Sequence, residues 1–132
     1  MDIPDALKQA EAALGRGEVQ SALDILESLD RIDPVSEAVH RLGSRIAAVQ
    51  DDPVEALRRL DLALEAGAVT TAPDLVNRAQ FCHVAGHLEE AIETLDRIPP
   101  RSDSRSMAVA LFMRIRCLAR LGRIEDARAS VR

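Results

Sequence analysis

The strongest constraint on this chain is internal repetition. A ten-residue phrase, Gly-x-Val-x-x-Ala-x-x-x-Leu, occupies Gly17, Val19, Ala22 and Leu26. The same places then hold Asp51, Pro53, Ala56 and Leu60, next Gly86, Leu88, Ala91 and Leu95, and last Gly122, Ile124, Ala127 and Val131. The alanines stand 34, 35 and 36 residues apart. A period of that length marks a stacked helical array, in which one unit cannot bury its own apolar face and neighbours must cover it. Such arrays usually hold a partner.

The apolar residues agree. Leu, Ala, Ile and Val dominate, Trp and Tyr are absent, and Phe81 and Phe112 are the aromatics. Alanine and leucine are strong helix formers, and no run alternates with a period of two as a half-buried strand would. An all-α fold follows. No apolar stretch approaches the ~20 residues that span a bilayer, and the opening Met-Asp-Ile-Pro-Asp lacks the basic-then-apolar order of a signal peptide. Cys82 and Cys117 occupy matching parts of successive repeats and read as small buried thiols in a reducing cytosol. Sixteen of the 17 basic residues are Arg, a skew expected of a GC-rich bacterial genome.

Each repeat reads as two helices, with boundaries near 3–34, 35–68, 72–101 and 104–132, the last repeat incomplete. In the first, Pro4 sits at an early helical position where its missing N–H costs nothing, and Leu7, Ala10, Ala13 and Leu14 share one face. Val19, Ala22, Leu23, Leu26 and Leu29 form the inward face of the next helix, which Asp33-Pro34 stops. The second repeat places Val39, Leu42, Ile46 and Val49 on its first helix and Leu57, Leu60 and Leu64 on its second. The third uses Leu75, Val76, Ala79 and Cys82, then Leu88, Ala91, Ile92, Leu95 and Ile98. The fourth offers Leu111, Ile115 and Leu118, and its second helix has only begun at Arg132. Those three residues should be less covered than Leu75, Ala79 and Cys82. The end is therefore expected either to fray, to pair with a second copy, or to continue into a longer chain.

The phrase resembles the tetratricopeptide repeat, a 34-residue helix–turn–helix unit, over essentially the whole chain. The alanine falls where two helices press closest, and the large residue one turn on fills the space between neighbours. Pro34 matches the family's terminal proline. The family's early aromatic is replaced by Ala6, His40, Leu75 and Leu111, and its Leu-Gly pair by Gln9-Ala10, Gly43-Ser44, Arg78-Ala79 and Arg114-Ile115. The resemblance implies a right-handed α-solenoid of helix-turn-helix repeats, a superhelix acting as a non-enzymatic scaffold that binds a peptide or protein partner. The pentatricopeptide class, with a similar period and RNA as ligand, is the alternative; no nucleic acid is expected as partner here.

Charge is divided unevenly. The first helices of the repeats sum to +4 and the second helices to −8, within a total of −5. In the resembled family the first helices line the concave groove, which would here be comparatively basic and suited to acidic or C-terminal peptides. By matching position the groove residues are Arg41, Arg45, Gln80, His83, Phe112, Arg116 and Arg120. The plain alternative is that these arginines are solvated helix faces. Family members that grip terminal carboxylates use Lys, Asn and Arg at positions that here hold Leu7, Glu11, Leu42, Pro73 and Asn77, which argues against that clamp.

Features suggesting chemistry have simpler explanations. Cys82, His83 and His87 lack a metal motif, and Gly86 should end their helix. Pro100-Arg101-Ser102-Asp103-Ser104 faintly resembles a sulfotransferase phosphate loop but has neither glycine nor a preceding strand. Glu89-Glu90 and Asp51-Asp52 stand at helix starts, where acids favour the dipole. No cofactor, metal or catalytic set is expected. Two other readings stay open: the N-terminal module of a larger bacterial enzyme such as a sulfotransferase, and a self-association module forming a homo-oligomer through the incomplete last repeat.

Overall fold

A computed structural model describes residues 2–67 and 69–131. Residues 68 and 132, which close two of the repeats read from sequence, lie outside the described residues. Among the described residues there are eight α-helices and no strand: α1 (Ile3–Gly15), α2 (Val19–Ile32), α3 (Glu37–Val49), α4 (Pro53–Ala66), α5 (Ala72–Val84), α6 (Leu88–Asp96), α7 (Ser104–Arg120) and α8 (Ile124–Ala129). The fold is all-α. The chain divides into two compact units, Met1–Val69 and Thr70–Arg132. In the first, α1 pairs with α2 and α3 with α4, and both α1 and α2 pack on α3. The second unit repeats the scheme: α5 pairs with α6, α7 with α8, and both α5 and α6 pack on α7. Each unit thus stacks two helical hairpins, as an α-solenoid does.

All four hairpins turn in the same way. The first residue of the repeated phrase lies in the left-handed region, at φ +77° for Gly17, +59° for Asp51, +86° for Gly86 and +75° for Gly122. The next amide then points back along the helix just ended. Glu18 N–H donates to the Ala13 carbonyl at 2.8 Å, Asp52 to Ala47 at 2.9 Å, His87 to Cys82 at 2.8 Å and Arg123 to Leu118 at 2.8 Å. A second bond joins the left-handed residue itself to the carbonyl three back, as Gly17 to Leu14 and Gly86 to His83, each at 3.1 Å. Together these form the Schellman closure, which satisfies carbonyls a helix end leaves orphaned. Glycine adopts this conformation without the Cβ penalty, and aspartate is among the few other residues that visit it routinely. The phrase begins with Gly or Asp for that reason.

The alanine five residues later is the close-packing point. Ala22, Ala56 and Ala91 are 0% exposed and Ala127 8%. Leu26, Leu60 and Leu95, one turn on, are buried as well, whereas Val131 lies beyond the end of α8 and is exposed. Helix starts are set by side chains: Ser36, Asp52 and Asp103 cap α3, α4 and α7, and Thr71 with Asp74 forms a reciprocal capping box on α5. Two details differ from the sequence reading. Val49, at the last position of α3, is exposed rather than inward. On α7 the buried stripe is Ser106, Ala110, Met113 and Cys117 with Leu118, while Leu111 is 41% exposed. The partner helix α8 has six residues against the 17 of α7, so it covers only the C-terminal turns of its neighbour.

Candidate functional site

In the second unit, α5 and α7 together present two adjoining depressions. One, of about 410 Å³, is lined by Pro73, Val76 and Asn77 of α5 and by Asp103, Arg105, Ser106 and Val109. The other, of about 340 Å³, is lined by Gln80 of α5 and by Ala108, Val109, Phe112, Met113 and Arg116 of α7. Val109 belongs to both, so the surface is continuous. It arises from helical spacing: Asn77 and Gln80 are three residues apart, and Arg105, Val109, Phe112 and Arg116 recur every three or four, so each set falls on one face. Phe112 is 73% exposed at its centre. A large aromatic left in water within an apolar strip signals a contact surface more than a core.

The structure brings Gln80, Phe112 and Arg116 together in one depression. Asn77, Arg105 and Val109 complete the face and were not among the residues singled out as groove-lining. The signal for the latter pair was present: counting back from Phe112 in steps of three and four reaches Val109 and Arg105. Arg116 makes no ion pair among the described residues, and Arg105 forms none although Asp103 lies close. The Asp103 carboxylate is engaged with the Ser106 amide at 2.9 Å, a bond that holds it below the usual carboxylate range.

His83 of α5 and Arg120 of α7, one turn beyond Arg116, also meet. Arg120 donates from one Nη to His83 Nε2 at 3.3 Å and to the His83 carbonyl at 3.2 Å. A guanidinium can only donate, so Nε2 is the acceptor and the ring proton sits on Nδ1. That atom is buried and has no hydrogen-bond partner among the described residues. Burial first, then the charges of Arg120 and Arg116, push the His83 pKa below its ordinary value. His83 is buried, 6% exposed, and is not itself part of the exposed lining. Arg120 is committed to the C-terminal end of α5, where a cation complements the helix dipole.

Arg41 and Arg45 lie in the first unit, each beside a carboxylate. Arg41 pairs with Glu37 one turn back at 3.0 Å, and Arg45 reaches from α3 to Glu11 of α1 at 3.2 Å. Their positive charge is therefore balanced locally, unlike that of Arg116.

Cys82 and His83 are buried, and His87 stands at the turn near Glu90, 3.8 Å away. Among the described residues no group of three or more His, Cys, Asp or Glu could hold a metal ion. Cys82 and Cys117 are buried and form no disulfide among the described residues, and burial raises the pKa of Cys117. No described helix is long and apolar enough to cross a membrane.

A family model described as the tetratricopeptide repeat matches residues 75–97 and 108–132, which fall on the two hairpins of the second unit. Over those residues the chain carries the tetratricopeptide repeat. A solved structure described as YrrB, a TPR protein with an unusual peptide-binding site, is similar with a TM-score of 0.77 at 17% identity. The alignment covers 98% of this chain and 65% of YrrB, so the chain spans less than two thirds of that protein's length. At such identity the likeness shows a shared tetratricopeptide fold. A search of curated proteins gives no match.

Proposed function

We propose that the chain is a protein-interaction scaffold that holds a peptide segment of its partner along the α5–α7 face. The observation that carries this reading is Phe112, left 73% exposed in a continuous depression beside an arginine with no acidic partner. Binding surfaces combine an aromatic anchor with a rim of polar and charged groups in this way. The tetratricopeptide repeats support a scaffold role, and the peptide-binding site ascribed to YrrB is consistent with it. Gln80, Phe112 and Arg116 are the principal contacts, and His83 and Arg120 hold the face in shape. The cytosol is the proposed place of action, where Cys82 and Cys117 stay reduced.

A photo-crosslinking amino acid at position 80 or 112 tests the face directly. It should capture a partner that the same group at Asp24, on the exposed side of α2, does not. Equal capture from both places, or loss-free binding by Phe112→Ala protein, would move the site elsewhere.

A further inference from the structure

Resting on that peptide-binding reading, we infer that the ligand is an extended segment carrying one bulky apolar residue between two carboxylates about five residues apart. The two ends of the α7 stripe carry Arg105 and Arg116; Arg116 has no carboxylate partner among the described residues, and Arg105 makes no ion pair, its charge acting only at a distance on the nearby Asp103, which is itself engaged by the Ser106 amide. Eleven residues of helix at 1.5 Å each place their backbone positions roughly 16 Å apart. An extended chain rises about 3.3 Å per residue, so roughly five of its residues bridge that span. Phe112 stands about 6 Å along the axis from Arg116 on the same arithmetic, which seats the apolar residue about two positions from one acid and three from the other.

The opposite wall favours an extended chain over a helix. Asn77 and Gln80 are exposed, and their amides have no partner among the described residues. A side-chain amide both donates and accepts, which suits the unpaired N–H and C=O groups of an extended backbone; a helical ligand has already satisfied its own. The acid requirement follows from charge complementarity, and the carboxylates are the part that distinguishes this ligand from any apolar peptide.

The test is a panel of fluorescein-labelled decapeptides in a Gly/Ser background. Each has one central Leu, with Asp three positions to one side and Glu two to the other, in both chain directions. The controls carry Asn and Gln, or Lys, in place of the acids. At low salt the acidic peptide should bind more tightly than the amide control by about 1.5- to 5-fold for each acid, the range of exposed ion pairs. Added salt should erase the difference. Arg105→Gln and Arg116→Gln proteins, both changed at exposed positions, should lose the preference for the acidic peptide over the amide one. Acidic and amide peptides of equal affinity, both lost in Phe112→Ala protein, would overturn this inference and leave the peptide-binding reading intact. No binding by any peptide of any charge would remove both.

Discussion

Replacing Gly86 by Ala should destabilise the second unit by about 1 kcal/mol. Gly86 sits at φ +86°, and a Cβ built on it meets no atom within 4 Å. Packing therefore contributes nothing, and the loss is conformational alone. The left-handed region costs an L-residue roughly 1–2 kcal/mol, partly offset by about 0.4–1 kcal/mol because Ala has fewer unfolded conformations to lose. The opposite change, Asp51→Gly, should stabilise the first unit by up to about 1 kcal/mol. Its carboxylate has no hydrogen-bond or ion-pair partner among the described residues, so nothing is given up there. Urea denaturation followed by circular dichroism reads both. For units of this size 1 kcal/mol corresponds to about 4–8 °C in melting temperature. An unchanged Gly86→Ala protein, or an Asp51→Gly protein less stable than the parent, would refute the assignment of these turns as the seat of the repeated phrase.

Two further outcomes concern packing and pH. Ala56→Leu and Ala91→Leu each force side-chain atoms into a site that is 0% exposed, and should cost roughly 1–3 kcal/mol by overpacking; melting at the parental temperature would show the helices are not closely apposed there. His83 has a folded pKa below its unfolded one, so unfolding takes up a proton in the interval between them. Stability is fully present above about pH 6.5 and is lost as pH falls below it. A His83→Gln protein should show a flatter decline between about pH 7 and 5, and an identical slope would assign the dependence to other groups.

The helical class and the hairpin helices were legible because each rests on local chemistry. Gly86 announces a helix end by its freedom at positive φ, Pro53 and Pro73 announce helix starts, and Ala91 marks a close approach whatever surrounds it. The face of α7 was less legible. Leu111 and Ile115 have the residue types of a core stripe, but burial depends on how far α8 extends beside them, and a six-residue helix leaves Leu111 at 41% exposure. Likewise Arg45 and Arg116 look alike in sequence. Only the placement of Glu11 across from Arg45 reveals that one is balanced and the other is not. The burial of His83 was hidden for the same reason: the side chain that covers a residue comes from a helix 37 positions away.

The constancy of the hairpin turn also bears on how such a chain can change length. Three residues always separate the paired helices, at 16–18, 50–52, 85–87 and 121–123. The joints between successive hairpins are not uniform: 33–36 lies between α2 and α3, and 97–103 between α6 and α7. The drift of the period from 34 to 36 is therefore not taken up in the turn. An inserted residue within the turn would break the two hydrogen bonds that close it, whereas one in a joint only lengthens a surface loop at small entropic cost. Lineages of this chain should then accumulate insertions at the joints and gain or lose whole hairpins. The turns behave as fixed punctuation, across which the text is copied in paragraphs and not in letters.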